Sequence, residues 1–347
     1  MQFASDNWAG AAPEVVEAIA REAARAAAAY GDSAIDKAVE KRFAEIFERE
    51  VAVFFVATGS AANGLAMAAV NKPGGVIFAH RDAHMIEGEC GGVEYLTAGA
   101  RLFGLDGDDG RIDAAALKCA IASVTPASEH HGQAMAVSIT QQTEAGTAYS
   151  LDQIGAIAEI AKANGLPLHM DGARFANALV RSNATAAEMT WKAGVDILSF
   201  GATKNGCIAA EAIVFFDPGQ ARDMPFLRKR AGQLFSKSRF VAAQFDAYLC
   251  DGLWLRLARH ANEMADRLRA GISRAAHARE VWATSGNEIF VAVRTPDAKR
   301  LAGEGAIFHE WTRTIGVRLE AGETLLRLVT SFATTADEVD LFLKKLG

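Results

Sequence analysis

Leu166-Pro167-Leu168-His169-Met170-Asp171-Gly172-Ala173-Arg174 and, further on, Val195-Asp196-Ile197-Leu198-Ser199-Phe200-Gly201-Ala202-Thr203-Lys204-Asn205-Gly206 decide how this chain is read. Each is a short apolar run that ends in polar, turn-forming residues. Such runs read as buried strands. They carry a carboxylate, Asp171, and an amine, Lys204, to their C-terminal ends, the edge of an open α/β sheet where ligands sit.

Taken singly, Asp-Gly after a strand is ordinary turn chemistry, and a strand-end lysine is a solvated surface residue. Together they are the pair that pyridoxal phosphate (PLP) chemistry needs. The carboxylate keeps the pyridine nitrogen protonated, and the amine binds the cofactor covalently.

Outward from this stretch, residues 51–57 are an apolar strand followed by Thr58-Gly59-Ser60-Ala61-Ala62-Asn63-Gly64, which opens a helix to about Asn71. Backbone N–H groups at a helix start favour an anion. Gly59 allows close approach and Ser60 adds a hydroxyl, so the turn reads as a phosphate cup. It matches neither a Walker loop nor G-x-G-x-x-G, so no nucleotide is indicated. Residues 76–79 form a strand leading to His80-Arg81-Asp82-Ala83-His84, then a helical 85–90 and a short strand at 93–96. His84 lies where its ring could stack on a flat cofactor, while His80 has no assigned role.

A helix at 113–123, a polar loop at 125–132 and a strand at 135–140 follow, the last ending in Gln141-Gln142-Thr143-Glu144. Ser150 and Gln153 have capping-box spacing at the start of the next helix. Strand 209–216 completes an alternation of strands and helices from about 51, the α/β signature.

Before this region stand helices at 13–29 and 34–48, the second with Val39, Phe43 and Phe47 on one face. After it, helical segments at 220–250 carry the basic cluster Arg228, Lys229, Arg230, Lys237 and Arg239, mostly a solvated face. A long helix at 254–272, strands at 288–293 and 325–330, and a final helix capped by Thr335 and Glu338 change the pattern. The chain therefore divides into a large α/β domain, 1–250, and a smaller α+β domain, 251–347.

Among the 347 residues, 36 basic against 42 acidic side chains give a net charge of −6. That balance speaks against nucleic acid, and no basic block suggests a membrane surface. The 20 residues from 51 to 70 carry no charge, a length that could span a bilayer. The polar and glycine residues in their middle favour strand, turn and helix instead. The N-terminal ten residues lack a secretory pattern. The four cysteines show no C-x-x-C spacing, so neither a metal site nor a disulfide framework is expected, and a reducing cytoplasm fits.

Phe3-Ala4-Ser5-Asp6-Asn7, Tyr30-Gly31-Asp32, Thr58-Gly59-Ser60-Ala61-Ala62-Asn63, Ala83-His84, His169-Met170-Asp171-Gly172-Ala173-Arg174 and Thr203-Lys204-Asn205-Gly206 occur in this order. In them the chain resembles, over essentially its whole length, the low-specificity L-threonine aldolases of the β-eliminating-lyase group. The resemblance implies the aspartate-aminotransferase-like fold of PLP enzymes (fold type I), with a mostly parallel large-domain sheet and a smaller C-terminal α+β domain. It implies PLP as cofactor, no metal, and cleavage of β-hydroxy-α-amino acids. L-threonine or L-allo-threonine would give glycine and acetaldehyde, and phenylserine would give glycine and benzaldehyde.

Carried over by position, Lys204 binds the cofactor covalently, Asp171 pairs with the pyridine nitrogen, His84 stacks on the ring, and Gly59 and Ser60 hold the phosphate. Arg174, with Ser5 and Arg327, grips the substrate carboxylate. The resemblance further implies a homodimer or homotetramer with sites at the subunit interface. A basic residue of a neighbouring subunit then reaches the phosphate, and Lys237 is the candidate.

There is one departure. Many relatives carry Glu-Asn-Thr-His after the central strand, whereas this chain has Glu144 in the histidine's place. The base for the β-hydroxyl is then His84, Glu144 or an ordered water, with histidine the default because its unperturbed pKa is about 6.5. Two other readings are an aminotransferase or other lyase on the same fold, and a non-catalytic binding protein. The set Lys204, Asp171, Arg174 and Gly59 speaks against the second.

Overall fold

The structure, a computed structural model, describes residues 1–124, 129–312 and 319–347. A seven-stranded sheet is built from β1 (Ala52–Val56), β2 (Gly75–His80), β3 (Arg101–Leu105), β4 (Gln133–Thr140), β5 (Leu168–Gly172), β6 (Ile197–Gly201) and β7 (Glu211–Phe215). The strands lie in the order β1-β7-β6-β5-β4-β2-β3. Only β7 runs against its neighbours. Every residue of β5, β6 and β7 is buried, which is why their sequences are apolar runs rather than alternations.

On one face, Phe43 lies 5.3 Å from the rings of both Phe200 and Phe245, within a larger aromatic cluster. Each such buried ring contributes about 2–3 kcal/mol. Together they hold helices Ala34–Ile46 and Arg239–Leu249 against β6. The other face is covered by helix Gly59–Ala69, whose Leu65 and Met67 pack with Ile77 and Ile213.

A second, antiparallel sheet is made of β8 (Ala278–Glu280), β9 (Glu288–Arg294), β10 (His309–Glu310) and β11 (Glu323–Val329), in the order β10-β11-β9-β8. Leu268, Ile289, Leu326 and Phe342 form its core with helices Leu253–Ile272 and Ala336–Leu346. Phe3 joins this core. Its N–H donates to Ile307 O at 2.8 Å, and its carbonyl accepts from Val329 N at 2.9 Å. The start of the chain is thus pinned beside β11, which brings Ser5, Asp6 and Asn7 to the edge where β5 ends.

Both expected capping boxes form, at Ser150 with Gln153 and at Thr335 with Glu338. The uncharged 51–70 stretch resolves into β1 and helix Gly59–Ala69. No described helix is long and apolar enough to cross a membrane. The polar loop expected at 125–132 lies partly outside the described residues.

Three expectations are corrected. Residues 93–96 are not a strand but part of helix Gly92–Leu96. Val93 is buried, and Leu96 lies where a side chain on Gly64 would collide with it (Cβ to Leu96 Cδ1, 2.6 Å), so this helix packs tightly on Gly59–Ala69. A run this short fits either period, and packing decides. The first helix ends at Ala23, not 29, because the alanines beyond it are exposed and have no face to bury. Strand β3 was not expected. It is a largely exposed edge strand, so its sequence carries neither an apolar run nor a clean alternation.

Candidate active site

Parallel neighbours β5 and β6 end at the same edge, with Asp171 paired to Ser199 in register. After β6 the chain makes the turn Thr203–Asn205. Asn205 is buried and donates to Tyr248 Oη at 2.7 Å and to the Trp254 carbonyl at 2.8 Å. That anchor fixes the turn carrying Lys204. At Gly172, a Cβ would stand 2.8 Å from Ser199 O and from Leu198 Cδ1, so the Asp-Gly-Ala-Arg turn requires a glycine there.

Lys204, Asp171, Arg174, His84, Glu144, Gly59 and Ser60 all line one cavity of about 270 Å³. An adjoining recess of about 290 Å³ shares His84, Glu144, Arg174 and Lys204 and adds Ser5, Trp311 and Arg327. The structure thus brings together every residue expected at the site from this chain's own contribution. A larger groove, about 1140 Å³, opens at the opposite sheet edge around Leu166 and Val195 and is lined by none of these residues. Lys237 lies exposed before helix Arg239–Leu249 and lines neither recess. His80 is buried and bonded to Gly107 O at 3.1 Å and Asp82 N at 3.2 Å, which makes it structural.

Asp171 Oδ1 accepts from Ala173 N at 3.0 Å, and its Oδ2 accepts from Asn63 Nδ2 at 2.8 Å. The same Asn63 nitrogen donates to Glu89 Oε1 at 2.9 Å, and Glu89 Oε1 lies 3.0 Å from His84 Nδ1. A continuous chain therefore links Asp171 to His84. The Glu89 contact, aided by Asp171, holds His84 above its ordinary pKa against the opposing effect of burial. Burial and then the charge of Arg174 push the Lys204 amine below its ordinary value, against the opposing charges of Asp6, Asp171 and Glu288. Glu144 accepts from His84 N at 2.7 Å and from Thr140 Oγ1 at 3.3 Å. Burial, reinforced by the Asp171 charge, raises its carboxyl to about 7.

Arg174 is gripped from behind. Its Nε and Nη2 donate to Asp6 at 2.7 and 3.0 Å, and its Nη1 lies 3.2 Å from Glu288 Oε2. Arg327 donates to Glu288 Oε1 and stacks on Trp311, 5.4 Å from the ring centroid. A guanidinium has five N–H donors. Each of these arginines keeps N–H groups for a carboxylate arriving in the recess.

Burial works to raise Asp6, but the charges of Arg174 and Lys204 and its hydrogen bonds bring it down to about 2. A depressed carboxylate stabilises the fold above its unfolded pKa. The contribution, about 2 kcal/mol, is lost as pH falls from near 4 through 2. Asp6→Asn is expected to cost roughly 2–4 kcal/mol, because it breaks a buried pair. Thermal or denaturant unfolding at neutral pH measures this, and an unchanged midpoint would remove Asp6 from the account.

The sequence pointed to Lys204, Asp171, Arg174, His84, Glu144, Gly59, Ser60, Ser5 and Arg327. It did not single out Asn63, Glu89, Glu288, Gln142 or Glu211. Asn63 and Asp6 lay inside quoted motifs, but Glu89, Glu288 and Glu211 carried no local signal.

The site fits PLP on its own chemistry. The helix start at Gly59 faces open space, with nothing within 4 Å of a Cβ there, as an anion cup needs. Both amide atoms of buried Gln142, Asn63 Oδ1 and Glu144 Oε2 have no hydrogen-bond partner around the cavity. A ligand bearing both donors and acceptors would satisfy them.

The family model for beta-eliminating lyases matches residues 2–295. A low-specificity L-threonine aldolase of Pseudomonas sp. (strain NCIMB 10558) is 36% identical over 317 residues, 91% of either chain. The enzyme of that name from Pseudomonas aeruginosa is 37% identical over the same share. The structure of Leishmania major threonine aldolase superposes with a TM-score of 0.92 at 27% identity, covering 99% of this chain and 98% of that one. The expected fold type I architecture, with its mostly parallel sheet and C-terminal antiparallel sheet, is borne out along the whole chain. The chain belongs to the beta-eliminating lyase family and, within it, to the group of the low-specificity L-threonine aldolases.

Proposed function

We propose that this protein is a PLP-dependent aldehyde-lyase that splits the Cα–Cβ bond of β-hydroxy-α-amino acids, releasing glycine and an aldehyde. L-threonine, L-allo-threonine and phenylserine are the proposed substrates. The observation that carries this reading is the convergence of Lys204, Asp171 and Arg174 on one cavity beside the Gly59 helix start.

When bound, PLP supplies an electron sink for the pair released at Cα. Lys204 would hold it covalently, Asp171 would keep its ring nitrogen protonated, His84 would stack on it, and Gly59 and Ser60 would take the phosphate. We place Lys237 of a second copy beside that phosphate, in a homo-oligomer.

The remaining work falls to the substrate-facing side chains. Arg174 and Arg327, already oriented by Asp6 and Glu288, offer their free N–H groups to the α-carboxylate. Ser5 lines the same recess. Fixing the carboxylate sets the rotation about the amine–Cα bond, so the Cα–Cβ bond is held in the orientation that breaks.

The β-hydroxyl must lose its proton as Cβ becomes the aldehyde carbon. Glu144 suits this step better than His84. Its Oε2 has no partner, and a carboxyl near 7 is matched to neutral pH, whereas His84 is biased toward its protonated form.

The base must be ionised, so kcat/KM should rise with pH through about 7. Glu144→Gln should remove that limb and lower cleavage by roughly 10²–10⁴-fold. An unchanged rate and pH profile would leave the proton to His84 or water. Product analysis separates the rival activities on this fold: an aminotransferase would give a keto acid, and an eliminating lyase would give ammonia.

A further inference from the structure

Glu211 is a buried acid in the cavity that the steps above do not use. Its position follows from the sheet. β7 lies between β1 and β6, and Glu211 is registered with Val56 on one side and Gly201 on the other. The chain after Val56 forms the Thr58-Gly59-Ser60 helix start, and the chain after Gly201 carries Thr203 and Lys204. A carboxyl group is therefore built in beside the anion cup and the lysine together.

From the cofactor reading above, we propose that Glu211 takes up a proton when PLP binds and holds the phosphate side of the site as a neutral acid. Two anions would otherwise share the one cavity that Glu211, Gly59 and Ser60 line together, and like charges sharing a site raise the pKa of one of them. The groups facing Glu211 favour this. Burial already raises its carboxyl to about 7, against hydrogen bonds from Thr203 and the charge of Lys204, with Asp171 adding to the rise. Among this chain's groups Lys204 is the cation that lowers Glu211, and its amine is committed once the cofactor is held. Arg174 lines the same cavity but is already paired with Asp6 and Glu288. The single charge of Lys237 from a second copy, placed beside the phosphate above, is smaller than the phosphate's two negative charges. The other titratable neighbours, Cys207 and Tyr248, are both pushed to high pKa by burial and stay neutral. As a neutral acid Glu211 also gains an O–H donor, which a phosphate can accept.

The test compares binding of PLP and of pyridoxal, which lacks the phosphate, to the cofactor-free full chain between pH 7 and 9. The phosphate is already dianionic there, since its second pKa is about 6. Pyridoxal reports Lys204 and the ring, so the affinity ratio isolates the phosphate. For the native chain the ratio should fall with pH, by up to about tenfold per unit. Calorimetry in buffers of different ionisation heat should show up to about one more proton taken up with PLP than with pyridoxal. In Glu211→Gln the ratio should be flat and the extra proton absent.

A flat ratio with no extra proton in the native chain would overturn the inference, even if the variant fails to fold. So would a Glu211→Gln protein that keeps the native pH dependence. Absence of PLP binding by the native chain at every pH would overturn the cofactor reading itself, and this inference with it.

Discussion

Lys204→Ala is expected to give a folded protein without the absorbance of covalently bound PLP and with threonine cleavage reduced by roughly 10³-fold or more, the scale on which loss of a covalent catalytic group acts. Lys204 is the amine that projects from an anchored turn into the cavity. The anchor is Asn205, bonded to Tyr248 and Trp254, and the substitution leaves it untouched. The fold should therefore survive, and circular dichroism checks that. Removing the buried amine also removes a charge that helps hold Asp6 low, so a modest change in acid stability should accompany the loss. Borohydride reduction followed by peptide mapping would locate the cofactor on Lys204 in the native chain. A Lys204→Ala protein that stayed coloured and turned over at the native rate would end the assignment.

Asp171→Asn is expected to retain PLP and lose roughly 10²–10³-fold in cleavage rate, as when one charge-stabilising group is removed from a preorganised site. The single asparagine oxygen can keep one of the carboxylate's two bonds, to Ala173 N or to Asn63 Nδ2, and the amide nitrogen then faces the other donor. A local loss of stability of about 1–3 kcal/mol should accompany the substitution, and unfolding measurements separate it from the loss of rate. What disappears is the negative charge that keeps the ring nitrogen protonated, and with it the capacity to draw in the electron pair at Cα. The His84 pKa should fall as well, since Asp171 helps hold it up. Native-like rates in Asp171→Asn would mean that the carboxylate is only a structural acceptor.

Much of this site was legible because parallel strands place their C-terminal ends along one edge. Two apolar runs ending in Asp171 and Lys204 suffice to bring an acid and an amine together, whatever the rest of the sheet does. Gly59 and Ser60 were legible for a similar reason, as a strand, a glycine turn and a helix start in succession.

The supporting carboxylates were not legible. Glu288 starts β9 in the second sheet and reaches Arg174 and Arg327 only through the packing of that sheet. Glu89 earns its contact to His84 from a short loop whose path no spacing rule gives. Glu211 is placed by the one reversed strand, and the direction of β7 is not written in its apolar run. Helix Gly92–Leu96 and strand β3 escaped for a different reason. One is too short to show a period, and the other is too exposed to show a buried face.

The claim on which the account turns is that this site breaks Cα–Cβ and no other bond of the substrate. Incubating the PLP-loaded protein with L-threonine and quantifying all products tests it directly. The account predicts glycine and acetaldehyde in equal amounts, without ammonia. Formation of 2-oxobutyrate with ammonia, or of a keto acid by amino transfer, would contradict it.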